Sequence, residues 1–405
     1  MRSAESSGQG AYDCSDKGLI MRELGIYVHI PFCVRKCEYC DFLSAPAGQG
    51  EMEDYVEMLC REIRERPEGK KECLVTSVFF GGGTPSVLPV ESTEKILNTI
   101  REEFILVENA EITTEVNPGT VCKEKLRAYR EMGFERLSFG LQSADNGELK
   151  LLGRIHSWED FLENYKQARA AGFSNINVDL MAALPGQTRE SFQMTLKKVL
   201  GIGPSHLSVY SLIIEEGTPF YEKYGEDALR REDGFEPIYL PSEEAERSMY
   251  KDAVELLEAA GLKHYEISNF AREGEFCRHN DNCWKRVEYL GFGIGAASFF
   301  EEERFSCHRD LKRYLAGDFI PDTRQKLSVK EQMEETMFLG LRRMEGVSVK
   351  SFEKKFGVPM DKVYGKQLDK FMEKGLLDLQ GDYVFLTDKG LDLANYVMAG
   401  FLFDE

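Results

Sequence analysis

The chain has 405 residues, 30% of them charged, and a formal net charge of −19. This length predicts two or three structural units. The acidic balance argues against non-specific binding to nucleic acid or anionic lipid. No run approaches the ~18 uncharged apolar residues that cross a bilayer, and no secretory signal begins the chain. We therefore expect a cytoplasmic globular protein, with peripheral membrane association left open.

The first half of the chain predicts a parallel sheet. Residues 1–20 lack an apolar run and predict a flexible tail, and from 21 to about 240 strand patterns alternate with helical patterns. Strands alternating with helices predict βαβ units, and six units predict an α/β fold with a partial (βα)6 barrel. Chemistry in such barrels lies at the C-terminal ends of the strands. The predicted strands cover 25–30, 75–80, 111–116, 136–140, 175–180 and 206–212, and the helices 51–65, 89–104, 123–132, 158–170 and 188–200.

The second half predicts two further units. Residues 215–241 are acidic and irregular and predict a linker or loop. Residues 241–327 predict a helix at 242–260 and then a region rich in glycine and aromatic residues. Residues 328–405 predict helices followed by a hairpin with a Gly381-Asp382 turn, a winged-helix-like unit. Its 11 Lys and Arg against 14 Asp and Glu are unsuited to phosphate contacts, so we expect no nucleic-acid partner.

Three cysteines, Cys33, Cys37 and Cys40, follow the first predicted strand in C-x3-C-x2-C spacing. Thiolates select iron–sulfur clusters, zinc or Cu(I), and structural zinc needs four ligands, usually as two separated pairs. No fourth Cys or His follows closely. Three thiolates leave one iron of a [4Fe–4S] cluster open, where S-adenosylmethionine (SAM) binds through its amino and carboxylate groups. The spacing is the signature of the radical SAM superfamily, and a zinc site is the alternative.

Polar and glycine residues stand at the ends of the next predicted strands. Gly81, Gly82, Gly83 and Thr84 follow the second strand, and glycines let backbone groups approach a ligand closely. Glu115, Gln142, Arg154 and Asp179 stand near the ends of later βα units. Carboxylates there suit ribose hydroxyls or an amine, and Arg154 suits a carboxylate. Each alone is more often a capping or solvated residue.

Four motifs carry a resemblance that covers the chain from Gly25 to its C-terminus: YVHIPFC, GGGTPS, RLSFGLQS and DLMAALPGQT. Together they resemble the oxygen-independent coproporphyrinogen III oxidase (HemN) family, and most closely its HemW branch of radical SAM heme chaperones. The resemblance implies a [4Fe–4S] cluster, SAM and heme as cofactors, and transfer of heme to respiratory proteins.

The resemblance also implies roles for individual residues. Contacts to the cluster-bound SAM are implied for Tyr27, Gly82, Gly83, Thr84 and Glu115. A second SAM site of the oxidase is matched by Tyr39, Gln142, Arg154, Asp179 and Ile213, and a further SAM contact by Ala297.

Two features distinguish the chaperone from the oxidase. Asp41-Phe42 stands where the oxidase branch has a further cysteine. The run 278–284, RHNDNCW, resembles the heme motif of the chaperone branch, with Cys283 in place of a tyrosine, so His279, Cys283 and Trp284 are heme candidates. The alternatives are that His279 and Trp284 merely pack the loop, or that Cys277, Cys283 and Cys307 hold an auxiliary cluster.

The implied partners are heme, heme-accepting proteins including those at the membrane, and an electron donor for the cluster; a homodimer is left open. The rival function is coproporphyrinogen III oxidation, in which SAM cleavage supplies a radical that removes hydrogen from a propionate. A SAM-binding regulatory protein is a more remote alternative. Whether SAM is cleaved is left open.

Overall fold

The computed structural model describes residues 21–403, so the predicted tail lies outside the described residues. The strands are β1 (Arg22–Ile30), β2 (Cys73–Gly82), β3 (Ile105–Val116), β4 (Arg136–Gln142), β5 (Asn175–Ala182), β6 (His206–Ser211), β7 (Lys263–Glu266), β8 (Asn269–Ala271), β9 (Glu288–Phe292), β10 (Ala297–Phe300), β11 (Glu303–Cys307), β12 (Pro321–Lys326), β13 (Val347–Ser348), β14 (Leu377–Gln380) and β15 (Tyr383–Leu386). The helices are α1 (Gln49–Glu65), α2 (Val90–Glu103), α3 (Lys123–Glu131), α4 (Asn146–Leu151), α5 (Trp158–Ala170), α6 (Arg189–Leu200), α7 (Pro219–Glu232), α8 (Glu243–Ala259), α9 (Arg278–Trp284), α10 (Leu311–Leu315), α11 (Val329–Gly340), α12 (Val349–Phe356), α13 (Met360–Glu373), α14 (Asp388–Asp392) and α15 (Ala394–Ala399).

Six parallel strands form the centre of a twelve-stranded sheet. Its order is β12-β11-β10-β9-β1-β2-β3-β4-β5-β6-β8-β7. Every residue of β4 is buried, as expected for a parallel strand covered on both faces. Strands β1 and β6 are not neighbours, so the six-stranded unit stays open. The predicted α/β fold with six parallel strands is confirmed.

The region predicted at 241–327 adds strands to both edges of the same sheet. Strand β9 pairs in parallel with β1, and β10 to β12 continue antiparallel from it. At the other edge β8 pairs antiparallel with β6, and β7 pairs with β8. The predicted boundaries at 240 and 327 stay predictions, although the sheet is continuous across the first of them.

The predicted linker at 215–241 was wrong in its middle part. Helix α7 begins with the side chain of Thr218 accepting a hydrogen bond from the Tyr221 amide and with Pro219 in the first turn. Its Phe220 is fully buried. The many charged residues concealed this helix, because few apolar positions mark its buried face. The carboxylate of Asp227 then accepts hydrogen bonds from three consecutive amides, 238–240.

The C-terminal unit has a hydrophobic core of its own. A three-stranded sheet, β13-β15-β14, accompanies α11, α12 and α13, as the predicted helices and hairpin require. Glu335 of α11 accepts hydrogen bonds from Arg286 and Arg304, which joins this unit to the large sheet. No helix among residues 21–403 is long and apolar enough to span a membrane.

Candidate iron–sulfur and SAM site

The loop after β1 carries the three clustered cysteines and is closed by backbone hydrogen bonds. The amide of Cys33 donates to the Ala45 carbonyl at 3.1 Å, and the Ala45 amide donates to the Pro31 carbonyl at 2.9 Å. The Cys40 amide donates to the Cys37 carbonyl, which turns the chain between the second and third thiols. We call residues 31–45 the cysteine loop. These bonds fix its ends while its tip faces a cavity.

The three thiols lie close enough to influence each other. Burial, and then the charge of Cys37, raises the pKa of both Cys33 and Cys40. No group of three His, Cys, Asp or Glu side chains in the described part of the chain is placed to hold one metal ion. A cubane cluster does not require such convergence, because each thiolate binds a different iron. The soft donor set therefore fits a [4Fe–4S] cluster.

The cavity at the C-terminal ends of the parallel strands has a volume of about 370 Å³. We call it the upper cavity. All three cysteines line it, and most of the predicted SAM residues lie around it. Those on its wall are Tyr39, Gly82, Gly83, Thr84, Glu115, Gln142, Arg154 and Asp179.

The glycine loop after β2 packs directly on the cysteine loop. The Gly83 amide donates to the Ile30 carbonyl at 2.9 Å and the Thr84 amide to the Phe32 carbonyl at 2.7 Å. A Cβ on Gly83 would lie 2.6 Å from the Phe32 oxygen. Gly82 has φ of 112°, which side chains rarely adopt. These glycines therefore allow two loops to approach, in addition to any ligand.

Glu115 and Asp179 place two buried carboxyl groups in the wall of the upper cavity. Burial, and then the nearby Asp179, raises the pKa of Glu115 to about 8, although the Gly82 amide donates to its Oε2 at 3.1 Å. Burial also raises the pKa of Asp179, against hydrogen bonds from Asn177 and Ser138. A cation bound beside Glu115 would favour its ionised form.

Arg154 is already occupied by the protein. Its guanidinium donates to the Gly140 carbonyl, to Asn117 Oδ1 at 2.6 Å and to Cys37 Sγ at 3.6 Å. It therefore fixes the middle cysteine to β4. Gln142 has φ of 75° at the end of β4 and accepts a hydrogen bond from Tyr210.

Three predicted SAM residues do not line the upper cavity. Tyr27 lies deeper on β1, where its hydroxyl is 3.2 Å from His29 Nδ1. Ile213 follows β6 and is 68% exposed. Ala297 is exposed on β10, where it pairs with Ser306 of β11.

The three heme candidates lie on α9, which packs against β2. His279 is buried, its Nδ1 lies 3.1 Å from Ser77 Oγ, and its ring stacks on Phe79 at 5.3 Å. Burial lowers the pKa of His279 to about 4. Trp284 instead lies under the guanidinium of Arg342, 4.3 Å from its ring centre.

Cys283 is largely shielded from solvent, and burial raises the pKa of its thiol to about 12. For the auxiliary-cluster alternative, Cys277 Sγ lies 3.8 Å from Glu111 on β3, whereas Cys307 is buried at the end of β11. This alternative stays a prediction.

Comparisons with known proteins show which family the chain belongs to. Residues 27–199 match the radical SAM superfamily, and residues 327–393 match the HemN C-terminal domain. The heme chaperone HemW of Lactococcus lactis is 34% identical over 96% of this chain and 99% of its own length. The HemW of Bacillus subtilis is 35% identical over 93% and 98%. The chain belongs to the HemW family of radical SAM proteins. Membership implies a [4Fe–4S] cluster and SAM.

A solved structure supports the architecture. The coproporphyrinogen III oxidase HemN of Escherichia coli superimposes with a TM-score of 0.80, covering 94% of this chain and 90% of that one, at 24% identity. At this identity the similarity shows the fold alone, which is the predicted radical SAM barrel with its C-terminal unit.

Sequence reasoning missed two residues that organise the site. His29 Nε2 lies 3.0 Å from the Leu43 carbonyl, and burial lowers the His29 pKa. A neutral ring then donates from Nε2 to the cysteine loop and accepts from the Tyr27 hydroxyl. Asn117 donates to Thr84 Oγ1 at 2.7 Å and accepts from Arg154, joining two loops. His29 belongs to the run YVHIPFC, and Asn117 lies two residues after Glu115. The partners of Asn117 are 33 and 37 positions away in the sequence.

Proposed function

We propose that the chain is a heme chaperone that holds a [4Fe–4S] cluster on Cys33, Cys37 and Cys40, binds SAM beside it, and passes heme to acceptor proteins. The observation that carries this proposal is the similarity to HemW relatives along more than nine-tenths of the chain. Those relatives are named for heme, and the cysteine loop and the upper cavity supply the cluster and SAM side of the same function.

The residues around the upper cavity support the SAM part of the proposal. With cluster and SAM bound, the site is supplied with one-electron chemistry. Gly82, Gly83 and Thr84 border the space next to the thiols, and Glu115 offers an acceptor for an amine or a hydroxyl. Tyr27 supports the cysteine loop through His29. Four other residues line the upper cavity and would contact a second SAM or another ligand: Tyr39, Gln142, Arg154 and Asp179.

The heme part rests on the motif in α9. Ser77 engages Nδ1 of His279, which leaves Nε2 as the nitrogen suited to an axial bond. His279 is packed against Phe79, so a macrocycle reaches it only when α9 moves away from β2. Cys283 and Trp284 follow within the same helix and would move with it.

The recipients we propose are heme-accepting proteins, including those at a membrane surface. An external electron donor would reduce the cluster, because the site needs a one-electron source. We propose a cytoplasmic location with peripheral contact at the membrane during delivery. Ile213 and Ala297 do not line the upper cavity. In this proposal they would contact only a ligand that extends beyond that cavity.

Heme binding is tested by titrating anaerobically reconstituted protein with hemin and recording the Soret band. The matched variants are His279→Ala and His264→Ala, because His264 is also a buried histidine whose ring stacks on an aromatic residue, Phe270. We expect His279→Ala to weaken heme binding ~10-fold or more through loss of an axial donor, with His264→Ala close to the original affinity. Equal loss in both variants would show a packing effect and contradict the assignment.

The oxidase alternative is tested in the same preparation. We expect no protoporphyrinogen IX from coproporphyrinogen III with SAM and a strong reductant, measured by mass spectrometry. Product formation by the original protein and not by a Cys33→Ala variant would establish the oxidase instead.

A further inference from the structure

Arg136 is a buried guanidinium without an acceptor from the protein. It begins β4 between Thr113 on β3 and Asn175 on β5, and is only 2% exposed. Within residues 21–403 its side chain forms no hydrogen bond and no ion pair, and its Nε is buried without a partner. Arginine keeps its charge at any ordinary pH, and although burial opposes this, the nearby Cys277, Glu111, Tyr265 and Asp179 hold the pKa of Arg136 above its ordinary value. None of them accepts a hydrogen bond from its guanidinium, so a ligand acceptor beside Arg136 would supply the bonds that the described residues do not make.

The other buried arginine of the described chain is paired with carboxylates. Arg286 donates to Glu335 at 2.8 Å and to Glu302 at 2.7 Å. The carboxylates that act on Arg136 from a greater distance, Glu111 and Asp179, have other partners.

Glu111 accepts hydrogen bonds from the amides of Arg278 and His279, at 2.9 and 3.2 Å, and so caps the start of α9. Asp179 is bonded by Asn177 at 2.7 Å. Both carboxylates are therefore held by groups other than Arg136.

A second cavity lies at the N-terminal ends of the parallel strands and has a volume of about 420 Å³. We call it the lower cavity. Of the described residues lining the two cavities, Arg136 alone is common to both. Asn175 also lines the lower cavity, and its Oδ1 is buried without a hydrogen-bond partner, as is Arg136 Nε. Phe276, stacked on Tyr265 at 4.3 Å, adds an aromatic wall.

We propose that the lower cavity binds a small organic monocarboxylate, whose carboxylate is held by Arg136 at the end of the barrel opposite the cysteines. A guanidinium binds a carboxylate through two parallel hydrogen bonds. The apolar part of the ligand would lie on Phe276. A second negative charge is disfavoured because four acidic residues line this cavity against three arginines: Glu111, Glu135, Glu275 and Asp281 against Arg130, Arg136 and Arg278. This site is independent of heme transfer.

The test uses ligand-observed fluorine NMR on the anaerobically reconstituted protein. The probe is para-fluorobenzoate, and para-fluorobenzamide is its neutral counterpart. We expect the benzoate to bind ~10-fold or more tightly than the amide, because only the anion forms charge-assisted bonds. Arg136→Met should abolish this preference, while Arg247→Met, which changes an exposed arginine on α8, should keep it.

Folding and location are controlled separately. Arg136→Met removes a buried guanidinium that makes no hydrogen bond to the described residues, so we expect the variant to retain its iron content and its unfolding midpoint. If Arg136→Met does not fold, Ser174→Trp provides the test by itself. Ser174 is an exposed position of the lower cavity, and a tryptophan there must weaken benzoate binding. Equal binding to the original protein and Arg136→Met, no binding at millimolar concentration, or full affinity in Ser174→Trp would each overturn the proposal.

Discussion

The cysteine loop and helix α9 both carry residues suited to metal or heme binding, but their surroundings differ. Backbone hydrogen bonds hold the cysteine loop at its ends, and its three thiols face the upper cavity. In α9 the candidate side chains are occupied: His279 packs on Phe79, and Trp284 lies under Arg342. A loop at the strand ends is therefore ready for its ligand, whereas the motif on α9 must first be released.

The largest expected effect is the loss of the cluster when its ligands are removed from the cysteine loop. Changing Cys33, Cys37 and Cys40 together to Ala should reduce iron from about four per chain to none, because these three thiolates are the proposed ligands of the cluster. The matched control changes Cys277, Cys283 and Cys307 to Ala, which should leave the iron content unchanged. Iron and sulfide are measured after anaerobic reconstitution. Full iron content in the first variant would refute the cluster assignment.

The attachment of the chain just after α9 is tested at Glu335, because Arg286, two residues beyond this helix, donates to Glu335 at 2.8 Å. Glu335→Ala leaves the buried Arg286 with one carboxylate instead of two and removes a partner of Arg304. We expect the free energy of unfolding to fall by ~1.5–3 kcal/mol, measured by denaturant titration, because Glu302 still pairs with Arg286. In the control, Glu243→Ala, an exposed pair with Arg247 is lost, and the change should stay below ~1 kcal/mol.

Glu335 also sharpens the heme proposal. If α9 must leave β2 before heme reaches His279, then Glu335→Ala should speed heme uptake while the protein is still folded. An unchanged or slower rate would indicate that heme binds without this movement.

A smaller effect is expected from the titration of Glu115. Its pKa is raised to about 8, first by burial, so below pH 8 the group is mostly protonated. SAM carries a sulfonium cation and is bound better by the carboxylate. We therefore expect SAM affinity to rise between pH 6.5 and 9 by up to ~10-fold.

The control for this titration is Glu115→Gln, which has no ionisable group at that position. It should bind SAM ~10-fold more weakly at high pH and show a flat profile, measured by equilibrium dialysis with the cluster intact. A profile of the same shape in both proteins would locate the titrating group elsewhere.

The sequence alone determined the α/β class, the order of the six βα units and the family, because hydrophobic periodicity and the cysteine spacing are local patterns. The family motifs also predicted SAM contacts, and eight of those residues line the upper cavity. It failed for α7, where charged residues conceal a short buried face.

Only the tertiary structure decided which of these residues are accessible and which are already bound. Arg154 matches a motif, yet its guanidinium holds Cys37 and Gly140. His279 matches another, yet it is buried between strands and helix. Arg136 is the first residue of RLSFGLQS, and this motif does not predict that its guanidinium lacks a hydrogen-bond partner. Only the packing of the described residues shows this. Hydrogen bonds and burial depend on contacts between residues tens to hundreds of positions apart, and local sequence patterns do not record those contacts.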